Sequence, residues 1–188
     1  MLASTTNLIS SEEYLAIERT AKEKHELHQG HIVTMTGASI PHNRIVKNII
    51  GNLWSFLRGK SCEVFPSDLR VYIPTADSFT YPDATIICGK PETIDSQLDT
   101  VTNPSAIIEV MSKSTEQYDR GTKFFYYMQI PSLKEYILIS SLVCYVQKAK
   151  KQSDGSWKFS EISSLEDELS IDCINYKIAV KDIYEGSL

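Results

Sequence analysis

The feature of this sequence that most restricts its fold is a glutamate inside an aliphatic run. Residues 104–112 read PSAIIEVMS, so Glu109 has aliphatic neighbours on both sides. A short apolar run bounded by proline and serine is typical of a buried strand. An ionised carboxylate in such a strand loses its hydration, which costs several kcal/mol unless a positive group meets it. We therefore expect the fold to bring a cation to Glu109.

The patterns before this strand predict a helix, a hairpin and a second helix. Ser10 and Glu13 have the spacing of a capping box and open a short amphipathic helix. Residues 24–37 alternate around Gln29-Gly30, which predicts two strands joined by a tight turn. Pro41 introduces a longer helix whose apolar residues recur at helical spacing and predict packing against a sheet.

The rest of the chain is predicted to be rich in strands. Strands are expected in CEVFPSDLRVYIP, YPDATIICG and PSAIIEVMS, and later in KEYILIS, LVCYVQKAK and SWKFSEI. Between the two groups, Ser114 and Gln117 are expected to cap a second long helix, which Pro131 ends. The order predicts an α/β (α+β) fold, a mixed sheet flanked by helices, in one domain over residues 1–188.

Composition supports a globular chain with an ordinary core, since 42% of the 188 residues are hydrophobic and 23% are charged. No apolar run approaches the roughly 18 residues that cross a bilayer, and the start lacks the features of a signal peptide. We expect a soluble cytoplasmic protein with no membrane contact. Cys62, Cys88, Cys144 and Cys173 form no C-x-x-C pair, so we expect reduced thiols.

The net charge of −5 argues against a polyanionic partner only weakly, because residues 152–188 account for the whole excess of acid. A basic face on residues 1–151 is compatible with that distribution. Among the histidines, His25, His28 and His31 are expected to be solvated on the hairpin. His42, at a helix start, is expected to serve in capping or to contact phosphate.

Two acids can share a site if their strands are neighbours. Glu109 faces one side of its strand, and Asp83 follows Pro82 near the start of the preceding strand. Two such carboxylates can hold Mg²⁺ together with waters and a substrate phosphate. The alternatives are a turn aspartate at position 83 and, for Glu109, a buried salt bridge to Arg120 or Lys123.

Lys123 lies on the helix after the Glu109 strand, with Asp119 and Tyr127 on the same helical face. Its ammonium can reach the strand end, where it would orient water or stabilise charge in phosphoryl transfer. The alternative is a solvated lysine paired with Asp119.

The combined motifs resemble a known family. YPDATIIC, NPSAIIEVMSKSTEQYDRGTKFFYY and PSLKEYILIS, in this order, are similar to the pattern of the Uma family of restriction-endonuclease-like proteins. The resemblance runs from HELHQGHIVTMTG to DGSW and therefore covers most of the chain. It places the chain in the PD-(D/E)XK nuclease superfamily and implies a restriction-endonuclease-like core with metal-dependent hydrolysis of phosphodiesters.

By position, the resemblance assigns Asp83 and Glu109 as metal ligands and Glu26 as an auxiliary ligand or water-orienting acid. The superfamily's lysine usually lies two residues after the second acid, where this chain has Met111. The family pattern has a lysine on the following helix instead, which matches Lys123.

We therefore expect an endonuclease that hydrolyses DNA with Mg²⁺, or Mn²⁺ as a substitute, and uses Asp83, Glu109, Lys123 and Glu26. Duplex DNA is the expected partner, and a two-fold homodimer is expected because both strands must be cut. The alternative is a nuclease-fold module that binds nucleic acid or protein without turnover, which Met111 favours. A purely structural domain, in which Glu109 is only salt-bridged, is the third possibility.

Overall fold

A six-stranded mixed sheet forms the centre of the computed structural model, which describes residues 8–188. Residues 1–7, which begin the N-terminal segment that lacks the features of a signal peptide, lie outside the described residues. The strand order is β11-β10-β9-β8-β6-β3. Its strands are β3 (Cys62–Pro66), β6 (Ala84–Cys88), β8 (Ala106–Met111), β9 (Glu135–Ser140), β10 (Val146–Lys151) and β11 (Trp157–Ile162).

The aliphatic run is the strand β8, and all six of its residues are buried. It lies between β6, which is antiparallel to it, and β9, which is parallel. Ile108 and Val110 pack in the core on one face of the sheet, and Ile107 and Met111 pack in the core on the other. Because side chains alternate along a strand, Glu109 points to the Ile107 face.

A five-stranded sheet, in the order β2-β1-β5-β4-β7, shares the core of the Ile107 face through Val71, Ile73 and Val101. Its strands are β1 (His25–His28), β2 (His31–Thr34), β4 (Arg70–Ile73), β5 (Ser78–Thr80) and β7 (Thr100–Val101). The predicted hairpin is confirmed: Gln29 and Gly30 both have positive φ, at 49° and 83°, as a tight two-residue turn requires.

Two helices precede the central sheet. Helix α1 (Ser11–Glu18) begins with the predicted capping box between Ser10 and Glu13. Helix α2 (Ile40–Leu57) begins after Ser39, with Pro41 in its first turn, and buries Ile45, Ile49 and Leu53 against the sheet face that carries Ile108. Both helices were predicted.

The helix after β8 has three consecutive parts: α3 (Glu116–Tyr118), a π-helical turn (Asp119–Lys123) and α4 (Phe124–Tyr127). The predicted cap at Ser114 is wrong, because Thr115 occupies the N-cap position. The π turn was not predicted. Such turns often occur at functional sites, since they rotate side chains relative to a regular helix.

The C-terminal part adds a small layer on the α2 side. Strands β12 (Glu168–Ile171) and β13 (Tyr176–Ala179) form an antiparallel pair, and α5 (Val180–Ile183) follows them. The predicted mixed sheet flanked by helices is confirmed. Within residues 8–188, no helix combines the length and the apolar character that crossing a membrane requires.

Two further expectations are wrong. Cys62 and Cys88 form a disulfide rather than remaining reduced, because they are direct partners on the antiparallel strands β3 and β6. Sequence spacing contains no sign of this register. In addition, CEVFPSDLRVYIP is two strands in different sheets, β3 and β4, separated by a turn at residues 67–69.

Candidate active site

The cation that Glu109 requires is Lys123. Its Nζ lies 2.8 Å from Glu109 Oε1. Glu109 is only 4% exposed and Lys123 only 6%. The π turn holds Lys123 over the strand, and its neighbour Tyr127 donates a hydrogen bond of 2.9 Å to the same Glu109 oxygen. An ammonium and a hydroxyl from one helical segment therefore fix the carboxylate.

A second acid approaches the same lysine from the five-stranded sheet. Glu26, on β1, places Oε1 3.2 Å from Lys123 Nζ and accepts a hydrogen bond of 2.9 Å from the backbone N–H of Tyr81. Its other oxygen lies 3.1 Å from Nε2 of His28, whose Nδ1 lies 2.8 Å from the Tyr118 hydroxyl. Lys123 thus joins acids from the two sheets.

The third predicted acid lies beside this group at the end of a strand. Ala84 is paired with Ile108, so Asp83, one residue before β6, lies across from Glu109. Asp83 Oδ2 accepts a hydrogen bond of 2.7 Å from the backbone N–H of Val110, and Oδ1 lies 3.1 Å from Nε2 of His42 on α2.

The site contains more negative than positive charge. Burial raises the pKa of Glu109 to about 8, and the carboxylates of Asp119, Asp83 and Glu26 add to the effect of burial against the attraction of Lys123. Burial likewise raises the pKa of Asp119, whose carboxylate lies 3.9 Å from Lys123. One lysine is therefore shared among several acids.

Glu26 has the opposite shift. Burial opposes its ionisation, but the charge of Lys123 and the hydrogen bonds from His28 and Tyr81 lower its pKa to about 2. For Lys123, burial favours the neutral form, yet Glu109 and Glu26 hold its pKa well above the ordinary value. At neutral pH, Glu26 and Lys123 form the ionised pair and Glu109 retains a proton.

This donor set suits a hard divalent cation. Asp83 and Glu109 supply two carboxylates on neighbouring strands, and the excess negative charge is what a dication would neutralise. Mg²⁺ needs only one or two carboxylates when waters and phosphate complete its shell. In the part of the chain that the structure describes, no three His, Cys, Asp or Glu side chains are arranged to hold a metal, so other ligands would have to complete the shell.

The structure brings Glu26, Glu109 and Lys123 together and places Asp83 beside them. The alternative in which Lys123 is solvated and paired only with Asp119 is wrong, because Lys123 is buried. Arg120 does not pair with Glu109; it binds Glu116. Met111 is a core residue.

Several residues of the site were not predicted. His28 is a half-buried partner of Glu26 rather than a solvated histidine, and His42 contacts Asp83. Tyr118 extends the network at the His28 side. The i+4 spacing of Lys123 and Tyr127 was the one sequence signal for Tyr127, and Tyr118, on the same helix, carried none. His42 was noted only as a helix-start histidine. The contacts of His28 and His42 with the acids join distant segments, so the sequence gave no sign of them.

The chain is similar in sequence to a known protein family and to two proteins of one organism. The family Uma2, described as "Putative restriction endonuclease", matches residues 11–181. Two Synechocystis proteins are similar: sll1609 is 38% identical over 86% of this chain and 92% of its own length, and slr1290 is 35% identical over 95% and 92%. Both are described as uncharacterized proteins.

A solved structure has the same fold. It is the crystal structure of a chain from Anabaena variabilis, described as a putative nuclease belonging to DUF820. It superposes with a TM-score of 0.80 at 15% identity, over 96% of this chain and 99% of that one. The likeness shows that the two chains share a fold.

Proposed function

Because this chain belongs to the Uma2 family, whose description is putative restriction endonuclease, we propose that it is a metal-dependent endonuclease that hydrolyses DNA phosphodiester bonds. The observation that carries the proposal is the buried pair of Lys123 and Glu109, whose Nζ and Oε1 atoms lie 2.8 Å apart beside Asp83 and Glu26. Buried acids in excess of cations, with perturbed pKa values, mark candidate functional sites.

In this proposal, Asp83 and Glu109 hold the metal, with Mg²⁺ as the cofactor and Mn²⁺ as a substitute. When bound, the ion supplies Lewis-acid polarisation of the phosphate and charge stabilisation at the leaving oxygen. To serve as a ligand, Glu109 would have to release the proton that it retains at neutral pH. Metal binding therefore becomes tighter as pH rises.

The chain's own residues have separate tasks. Lys123 carries a fixed positive charge that would orient the attacking water and stabilise negative charge developing on the phosphate. Glu26 keeps that ammonium charged and in place through its 3.2 Å contact. Tyr127 fixes the direction of the Glu109 carboxylate. Lys123 thereby takes the role of the lysine that Met111 replaces in the usual motif.

A plasmid-nicking assay tests this function. With Mg²⁺ or Mn²⁺, the wild-type protein should convert supercoiled plasmid to the nicked form, and Glu109→Gln or Lys123→Met should reduce the rate at least about 10³-fold. Circular dichroism would show that the variants remain folded. Folded wild-type protein that leaves plasmid intact with both metals would favour a non-catalytic module, which should still shift DNA in a salt-dependent manner.

The proposed partner is duplex DNA, and the proposed assembly is a two-fold homodimer that presents one site to each strand. Light scattering during chromatography, with and without DNA, tests the assembly. A monomer in both conditions would contradict the dimer while leaving the nicking reaction intact.

A further inference from the structure

Asp83 is held by two donors from different parts of the fold. Oδ2 accepts the backbone N–H of Val110, at 2.7 Å, and Oδ1 faces Nε2 of His42, at 3.1 Å. An ionised carboxylate only accepts hydrogen bonds, so the Nε2 atom of His42 must carry the proton. The imidazole therefore donates to Asp83.

Asp83 needs a second donor because its backbone lies outside the sheet ladder. Strand β6 begins at Ala84, and the Asp83 side chain is 19% exposed. The bond from Val110 fixes one oxygen and leaves the carboxylate free to turn about that contact. The bond from His42 fixes the second oxygen and therefore the orientation of the group.

His42 itself is rigidly placed. It lies in the first turn of α2, directly after Pro41, and its backbone N–H donates to the Ser39 hydroxyl at 3.4 Å. Three turns of the same helix are anchored by the buried residues Ile45, Ile49 and Leu53. A donor on a packed helix holds its acceptor more accurately than a donor on a loop.

We propose that His42 is a positioning residue that orients the Asp83 carboxylate for binding of a divalent cation. The inference rests on the proposed function, because that function makes Asp83 a metal ligand. Hydrogen-bond partners of ligating groups set the direction of the lone pairs, and their loss typically weakens metal binding or activity 10–100-fold. His42 acts through Asp83 and contacts neither the metal nor the substrate.

The experiment measures Mn²⁺ binding without DNA, from the electron paramagnetic resonance signal of the free ion. His42→Ala should raise the dissociation constant for Mn²⁺ at least about 10-fold. His42→Gln should bind within about 3-fold of the wild type, because the glutamine Nε2 lies the same number of bonds from Cβ as the histidine Nε2. His42→Asn carries a donor that is one bond too short and should behave like His42→Ala.

The pair of amide variants separates positioning from a structural role, since both remove the ring and only glutamine can reach Asp83. His31→Ala is the matched control, because His31 is exposed on β2 and its loss should not change Mn²⁺ binding. Equal binding by the wild type and all three His42 variants would overturn the positioning role alone. So would a glutamine variant as weak as the alanine variant. A wild-type protein that binds no Mn²⁺ would overturn the proposed metal site and this inference together.

Discussion

Two buried lysines in this protein are surrounded by acids, yet their environments differ in one respect. Lys148, on β10, lies 2.8 Å from Glu135 and 3.1 Å from Asp172. Lys123 lies 2.8 Å from Glu109 and 3.2 Å from Glu26. Both lysine residues are 6% exposed. The difference lies in how completely the acids are satisfied.

In the Lys148 cluster, backbone groups complete the bonding. Glu135, 1% exposed, accepts the N–H groups of Asp172 and Cys173 on its two oxygens. Lys148 also donates to the carbonyl and the hydroxyl of Ser170. The cluster ties β12 to the central sheet, and its charges and hydrogen bonds are matched. It is therefore a structural ion pair.

In the Lys123 cluster, two acids compete for one ammonium and further acids surround them. Glu26 takes the ionic partner, and Glu109 is left with a pKa of about 8. A buried group whose charge is poorly matched destabilises the fold, so its presence indicates that it serves another purpose. The comparison teaches that burial of an ion pair alone does not mark a candidate site, whereas unmatched charge does.

The largest expected effect concerns the structural cluster. Lys148→Met should lower the free energy of unfolding by about 3–5 kcal/mol, because it leaves the Glu135 carboxylate buried without its counter-ion. Urea denaturation measures this change. Lys150→Met is the control, since Lys150 contacts Asp172 from an exposed position and its loss should cost much less. The folded fraction of Lys148→Met should keep the plasmid-nicking rate.

The comparison would fail if Lys148→Met were as stable as the wild type, because the carboxylate of Glu135 would then need no counter-ion. It would also fail if the variant lost nicking while remaining folded.

The second effect concerns the Lys123 cluster and has the opposite sign. Glu109→Gln should raise the free energy of unfolding by about 2 kcal/mol at pH 8.5, measured with a chelator present. The amide oxygen can still accept from Lys123 and Tyr127, while the unmatched charge is gone. If the proposed function is right, the same variant should lose nicking, as expected where stability is sacrificed for activity.

The pH dependence follows from the raised pKa of about 8. Between the ordinary value near 4.5 and pH 8, the folded state holds the Glu109 proton and the unfolded state does not. Stability from this group is therefore fully present below about pH 4.5 and is lost as pH rises toward 8. Urea titrations from pH 5 to 8.5 should show a fall for the wild type that Glu109→Gln lacks. If the stability of the wild type and of Glu109→Gln changed with pH in the same way, Glu109 would already be ionised and its charge matched.

Local signals in the sequence predicted much of the fold. The capping box at Ser10, the turn at Gln29-Gly30 and the aliphatic run of β8 were all confirmed, because each depends on neighbouring residues. The need of Glu109 for a cation was also confirmed, since its cause is burial in a single strand. Lys123, on the following helix, is that cation.

Features that depend on how distant strands pair could not be predicted from the sequence. The Cys62–Cys88 disulfide requires β3 to lie beside β6, and the break between β3 and β4 requires the chain to change sheets. Glu26 reaches Lys123 only because the two sheets meet, and the sequence pointed to it through family resemblance alone. His42 was visible as a helix-start histidine, but its contact with Asp83 spans 41 positions.

The smallest expected effect tests whether the structural cluster responds to acid rather than base. A hydrogen bond from Lys150 is the main cause that lowers the pKa of Asp172 to about 2, with Lys148 adding to it against partial burial. The folded pKa lies below the unfolded value of roughly 4, so this stability is present above pH 4 and is lost as pH falls toward 2.

Because the Asp172 side chain is 38% exposed, solvent screening limits the contribution of this ion pair to the free energy of unfolding to under about 1 kcal/mol. In urea titrations from pH 4 to 2, Asp172→Asn should lose less stability than the wild type, and Glu109→Gln should match the wild type, because Glu109 is protonated in both states over most of this range. If the stability of Asp172→Asn fell as steeply as that of the wild type, the bridges from Lys150 and Lys148 to Asp172 would contribute nothing, and the matched character of this cluster would rest on Glu135 alone.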